Sequence, residues 1–357
     1  NPSFRPQFRY FHWYTALVGA IGCAVVTLLI NWLAAVAAIL IIIIFFWYLK
    51  AQKLIAAFGD ARRGFIYKQT RNNLLRLRRM PEDPKNWRPN ILVFSGNPMA
   101  REEIVAYAAW MESRRGIVYL ANVLVGDVVE LAPRRPAAVQ QLTRFCNEKN
   151  YGAFPVVVAV EKLEQGITML LQATAIGPIR PNMAVFGWSG KMERRQTYLN
   201  ALRTASTLGM SLALIETKVL PVPEEPKRID IWWRGHKNGA LMLLLAFLIS
   251  ENWEWSNAKI RILRVVENEA GREPAESALQ KLLDLARVEG DVEVVLEEGS
   301  FSRVLHKYSA DATCVILGFE LPEVADEAAW HACYRSFVDG MPTMILVNSL
   351  GGEDLFA

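Results

Sequence analysis

The chain has 357 residues and a net charge of +4, from 40 Lys and Arg against 36 Asp and Glu. At about 100–200 residues per domain, that length suggests two domains. The charge divides as +2 in the first nine residues, +8 from Lys50 to Arg88 and −6 over the remainder, so the later body lacks the basic face that nucleic-acid binding requires.

From Tyr10 to Leu49 there is no Lys, Arg, Asp or Glu. A membrane span needs ~20 apolar residues, so the run predicts two spans in residues 1–49, Trp13–Ile30 and Trp32–Leu49, hinged at Asn31. Arg5 and Arg9 precede the run, and Lys50, Lys53, Arg62 and Arg63 follow it, which places both ends of the hairpin on the cytosolic side. Trp13, Trp32, Trp47 and Tyr48 fall where interfacial rings settle. Ala16, Ala20 and Ala24 form one small-residue row of the first span, and Gly19, Cys23 and Thr27 form a second. Such rows predict close packing against further helices. Thr15, Thr27 and Asn31 are too few polar groups to line an ion path, so any conduit is expected on helices before Asn1. The run is too long for a signal peptide, and the opening Asn1-Pro2 without Met reads as the tail of a larger membrane protein.

Residues 50–88 predict an amphipathic connecting helix to Met80, with weak points at Gly59 and Gly64, ended by Pro81, Pro84 and Pro89. Its basic excess predicts attraction to anionic lipid, about 1 kcal/mol per basic residue near the surface.

From residue 89 short apolar runs alternate with helical stretches. Strands are predicted at Ile91–Phe94, Ile117–Leu124, Phe154–Val160, Met183–Trp188 and Ser211–Ile215. Helices are predicted at Ala100–Ser113, Arg134–Asn150 and Met192–Thr207. Residues 218–227, with Pro221, Pro223 and Pro226, form a linker, and the order repeats over residues 228–357. There the strands are Ile229–Trp233, Ile260–Val266, Val292–Leu296, Thr313–Leu317 and Thr343–Val347. The helices are Asn238–Trp253, Pro274–Glu289, Phe301–Tyr308 and Ala325–Asp339. The expected fold is therefore two transmembrane helices followed by a duplicated, doubly wound parallel α/β domain, its halves being 89–217 and 228–357.

Ligands of such sheets sit at the carboxyl ends of strands. The candidate loops are Ser95-Gly96 after the first strand, Gly126 after the second, and Gly187-Trp188-Ser189-Gly190 after the fourth. The last is followed by Lys191 and Met192, not by the hydroxyl of a phosphate-binding GxxxxGK[ST]. It resembles the start of the nucleotide loop of universal stress proteins, though Asn200 and Ala201 stand where that motif's later glycine falls. An adenine nucleotide such as ATP is thus a candidate ligand, with a tight strand-to-helix turn as the plain alternative. Cys23, Cys146, Cys314 and Cys333 are scattered, the four His show no ligand spacing, and no base stands beside a nucleophile, so neither a metal site nor an enzyme is expected.

Several phrases resemble the cation–chloride cotransporter family. They are Phe4-Arg5-Pro6 before the hairpin, Ile30-Asn31-Trp32 at its turn, and Asn86-Trp87-Arg88-Pro89 before the first strand. Arg180-Pro181-Asn182 with Val185-Phe186-Gly187-Trp188, and Ile229-Asp230-Ile231-Trp232-Trp233 with Asn238-Gly239-Ala240-Leu241, complete the set. The resemblance implies the C-terminal portion of an electroneutral, multi-pass symporter of chloride with potassium or sodium in the plasma or inner membrane. It also implies a universal-stress-protein-like regulatory domain in the cytoplasm, a homodimer, and a nucleotide in the first half of some members. No long phosphorylatable insertion precedes Ser309-Ala310-Asp311, which suggests a prokaryotic member. The rival reading is a membrane-anchored, nucleotide-sensing module of the universal stress protein type.

Overall fold

A computed structural model describes residues 13–51, 61–81, 83, 86–189, 195–217 and 219–351. The chain divides into two units, Asn1–Met80 and Pro81–Ala357.

In the first unit α1 (Trp13–Ile30) and α2 (Trp32–Ala51) are 18 and 20 residues long, or about 27 and 30 Å at 1.5 Å per residue. Asn31 separates them, and its Oδ1 accepts the N–H groups of Leu33 and Ala34 at 3.1 Å each, which makes it the N-cap of α2. Several side chains of both helices, Thr15, Ala16, Ala24 and Phe46 among them, lie outside the described set. Over the described residues alone, no helix is long and apolar enough to cross a membrane. The described side chains are exposed nearly throughout, with Ala35 the buried exception.

The connecting stretch is not described as one helix: α2 runs to Ala51, residues 52–60 (with Gly59) lie outside the described residues, and α3 covers Ala61–Leu77. On α3 Leu74 and Leu75 are half-buried, while Phe65, Ile66, Tyr67 and Leu77 are exposed.

The second unit holds one continuous sheet of ten strands. The first half supplies β1 (Asn90–Phe94), β2 (Ile117–Val125), β3 (Ala153–Val160), β4 (Met183–Gly187) and β5 (Ser211–Glu216). The second supplies β6 (Arg228–Trp232), β7 (Lys259–Val266), β8 (Asp291–Leu296), β9 (Cys314–Gly318) and β10 (Thr343–Asn348). Their order is β3-β2-β1-β4-β5-β10-β9-β6-β7-β8, so the second half repeats the first in mirror order, as a duplication requires. All neighbours are parallel except β5 and β10, which run antiparallel and join the halves.

Both faces are covered, which is why β1 carries three consecutive apolar residues, Ile91, Leu92 and Val93, all fully buried. On one face lie α4 (Glu102–Glu112), α6 (Arg135–Glu148), α9 (His236–Ser250) and α10 (Arg272–Ala286). On the other lie α7 (Leu163–Ala173), α8 (Arg195–Thr207), α11 (Phe301–Ser309) and α12 (Glu327–Val338). A single turn, α5 (Val128–Leu131), follows β2. α4 and α9 meet where Trp255, fully buried, packs edge-on against Tyr107 and Trp110 at 5.9 and 5.7 Å.

The proline-bearing linker is held by one of its own ends. The ammonium of buried Lys227 donates to the carbonyls of Pro223 (2.6 Å) and Glu225 (2.8 Å), replacing water around a charge that is costly to bury bare.

Candidate functional site

In each half the strand order reverses between the first and fourth strands, and the crevice above that reversal is where an α/β sheet takes a ligand. In the first half it lies between β1 and β4. Phe94 pairs with Phe186 and their rings stack at 4.7 Å, so Ser95 and Gly187, one residue on, face each other about 4.8 Å apart. The structure therefore brings Ser95-Gly96 together with Gly187-Trp188-Ser189; Gly190 lies outside the described residues.

Gly126 is not part of this site. Val93 pairs with Leu120, which puts Ser95 level with Asn122 and Gly126 four residues, about 13 Å, farther along β2. Its φ of +153° serves the turn into α5, where Asp127 caps the helix by accepting the N–H groups of Val129 and Glu130 at 2.9 Å each.

Two side chains that the sequence did not single out, Arg101 and Tyr198, join Ser95 in shaping the crevice. Arg101, exposed at the start of α4, lies against Gly187: a Cβ there would sit 2.2 Å from its Nη2, so only glycine admits the guanidinium. The Ser95 hydroxyl and the Tyr198 phenol are both buried with no hydrogen-bond partner among the described residues. Burial pushes the Tyr198 pKa well up; Arg101 pulls it down and Glu216 adds to the rise. A buried hydroxyl without a partner forfeits about 1–3 kcal/mol, so a polar ligand there has something to satisfy.

The other side of the loop is closed. Trp188 is buried, with its ring 5.3 Å from that of His331 on α12 and 16° from parallel. His331 Nε2 also lies 2.9 Å from the Ser189 carbonyl. Beyond them opens a cleft of about 760 Å³ between the halves, reached by Arg101, Glu216, Glu225, Arg335 and Asp339. On the Ser95 side the polar groups offered are the Ser95 and Tyr198 hydroxyls and the Arg101 guanidinium. An adenine has no free face of Trp188 to stack on where His331 lies, and Glu102 and Glu103 in the first turn of α4 oppose a highly charged anion.

The matching crevice of the second half is filled. Asn238 occupies the space above Gly318, donates to the Phe319 carbonyl (3.1 Å) and accepts the Ser349 N–H (2.9 Å). Asn348 donates to the same carbonyl at 2.9 Å, and the Trp233 ring lies so close over Gly239 that no Cβ fits.

A second cluster that the sequence reading missed surrounds Asp230, which has no exposed surface. It accepts from Arg228 Nε (2.9 Å), from Arg261 Nε and Nη2 (3.0 and 2.6 Å) and from Ser309 Oγ (2.7 Å). Arg261 also reaches Glu293 and the Tyr308 carbonyl. With every acceptor site engaged this reads as a structural clamp on α11, not a reactive group.

In the first unit, Gly19, Ala20, Cys23 and Thr27 of the predicted packing rows are exposed, and a Cβ on Gly19 would meet nothing within 4 Å. The side chains of Ala16 and Ala24 lie outside the described set.

Residues 101–219 and 222–302, more than half of the chain, match the model of solute carrier family 12. The chain belongs to that family. Among solved structures, this solute carrier chain is similar to the cytoplasmic domain of a prokaryotic cation chloride cotransporter (TM-score 0.54, 18% identity, covering 75% of this chain and 98% of the other). It is also similar to a universal stress protein from Archaeoglobus fulgidus DSM 4304 (TM-score 0.51, 11% identity, covering 76% and 100%). At those identities the likeness is one of fold, and it is the expected one.

Proposed function

We propose that this chain is the C-terminal portion of a secondary-active, electroneutral cation–chloride cotransporter. α1 and α2 close its membrane bundle as a hairpin, and the ten-stranded body is its cytoplasmic regulatory and dimerisation domain. The observation that carries the reading is the family match, which runs through the α/β body on both sides of the linker. Two features support the membrane part. α1 and the stretch of α2 before Lys50 carry no charge, and the exposed Gly19, Ala20, Cys23 and Thr27 offer a surface for helices from elsewhere in the same polypeptide. The ion path lies on those other helices, because α1 and α2 contain no acid and no base before Lys50. The test is removal of residues 81–357 from the full polypeptide, with chloride-dependent cation uptake and oligomeric state as readouts. A regulatory and dimerisation domain requires one or both to change; an unchanged rate and an unchanged assembly contradict the assignment.

A second reading concerns a nucleotide in the first half. It is favoured by the buried, unpartnered Ser95 and Tyr198 hydroxyls beside Arg101. The crevice takes the phosphate end of such a ligand, with Arg101 as its charge partner and Gly187 leaving room for it. Calorimetry of the full chain with ATP and with pyrophosphate checks this. Arg101→Gln weakens binding about tenfold or more if a charge-assisted bond is lost, and no heat from either ligand at millimolar concentration excludes the site.

A further inference from the structure

The two halves close their crevices in different ways. Trp188 and Phe319 are equivalent: each follows the last glycine of its fourth strand and donates its N–H to a neighbouring strand, to Ile215 and Val347, at 2.8 Å. In the second half the closing groups are its own, since Asn238 and Asn348 both donate to the Phe319 carbonyl. In the first half Arg101 stands against the glycine where Asn238 stands in the second. The group over Trp188 comes from the other half. It is His331 of α12, 2% exposed, stacked on the indole at 5.3 Å with its Nε2 2.9 Å from the Ser189 carbonyl. A flat nitrogen heterocycle on an aromatic face, with a ring nitrogen at a backbone carbonyl, makes the contacts by which proteins hold a nitrogenous base. Arg101, Trp188 and Ser189 also line the cleft of about 760 Å³ between the halves, which is ample for a small ligand. Arg335 and Val338 line it too, four and seven residues beyond His331, so that face of α12 is the cleft wall.

We infer that His331 is a built-in plug of the first-half site: its imidazole holds the place of a nucleotide's base on Trp188 and Ser189, so binding the base end displaces it and loosens α12. This rests on the reading that the phosphates of such a ligand lie at Ser95, Tyr198 and Arg101. The plug is removable, because it hangs on one ring stack and one hydrogen bond reaching across the halves, together worth about tenfold in affinity. The start of α12 is pinned more firmly. There Arg203 of α8 donates to Glu327 at 2.6 Å and to the Pro322 carbonyl at 3.0 Å. Displacement of His331 therefore acts first on the middle of α12, the helix that leads into β10 and the joint between the halves.

The test is calorimetry of the full chain and of its His331→Ala variant, with ATP and with pyrophosphate. The variant is expected to bind ATP about tenfold or more tightly, because no plug competes with the base. Its affinity for pyrophosphate, which has no base, is expected to stay within about twofold. A histidine that only packs gives the opposite sign, since a loosened joint holds ATP no better. Should the variant misfold, amide hydrogen exchange of the unaltered chain decides. Saturating ATP is expected to speed exchange in residues 329–335 about threefold or more, and pyrophosphate is not. ATP binding by folded His331→Ala that is equal to or weaker than that of the unaltered chain overturns the inference, and so does α12 exchange that ATP leaves unchanged or slows. In both of those failures pyrophosphate still gives heat. Silence from both ligands in both proteins is instead the failure of the nucleotide reading, and it takes the plug with it.

Discussion

Leu214 on β5 pairs directly with Leu346 on β10, and the two are the same position of the two repeats. Their equivalence follows from the strand-end hydrogen bonds. Trp188 donates to the carbonyl of Ile215 and Phe319 donates to that of Val347, each at 2.8 Å, so Ile215 matches Val347 and the residues before them match too. The pseudo-two-fold axis of the body therefore passes between these leucines. A duplicated half that ends in a strand exposes an edge, and pairing that edge with its own copy is the cheapest way to remove it.

The two leucines should act as one unit. Both are essentially fully buried, so Leu214→Ala and Leu346→Ala should each cost about 2–5 kcal/mol. Because they touch, the double variant should cost less than the two single losses combined. Denaturant midpoints of the four proteins give the coupling. Strict additivity would mean that the joint is looser than the register implies.

Two glycines that look alike in the sequence should behave differently. A methyl on Gly187 meets the far end of exposed Arg101 and the tip of Ile104, both of which can move, so Gly187→Ala should cost under about 1.5 kcal/mol. A methyl on Gly239 lands 2.2 Å from the ring of buried Trp233, which has nowhere to go, so Gly239→Ala should cost about 1–3 kcal/mol. Thermal melts of the two variants rank them, and the reverse order would refute the assigned contacts.

Asp230 should be among the least replaceable residues of the second half. Asp230→Asn leaves Arg228 and Arg261 facing a neutral amide in a buried setting, a change of about 3–5 kcal/mol. Slower-exchanging amides of α11 should become the first to open, since Ser309 loses its acceptor. Wild-type exchange in α11 of the variant would show that the cluster holds nothing.

Glu112 gives the body a pH signature. Burial raises its pKa above 4.5, although it accepts the N–H groups of Gly116 (2.7 Å) and Arg114 (3.0 Å). An acid whose folded pKa is raised binds its proton more tightly in the native state. Stability therefore falls as the pH climbs from 4.5 through the folded value, and the penalty is complete above it. In Glu112→Gln that downward slope should be missing from a stability-against-pH curve. A variant with the wild-type slope would place the titration elsewhere.

Much of this architecture was legible in the sequence. All ten strands begin and end within one residue of their expected bounds, because each centres on a short apolar run that stops abruptly at turn residues. The same pattern hides direction. Nothing in Ser211–Glu216 or Thr343–Asn348 distinguishes a parallel neighbour from an antiparallel one, so the joint at Leu214 and Leu346 was invisible. α7 was not singled out. Of the candidate loops, Ser95-Gly96 and Gly187-Trp188-Ser189 were legible as turns at strand ends, whereas nothing local told that Gly126 lies farther along β2. Arg101 and His331 were not legible, because each reaches its loop through tertiary packing that leaves no local mark.

The central claim is that this chain closes a cation–chloride cotransporter. The direct measurement is uptake of radioactive rubidium and sodium into proteoliposomes holding the polypeptide that contains this chain, with chloride present or replaced by gluconate. The account predicts uptake of at least one cation that requires chloride and is indifferent to an imposed membrane potential. Cation uptake that persists unchanged in gluconate, or that follows the potential, would contradict it.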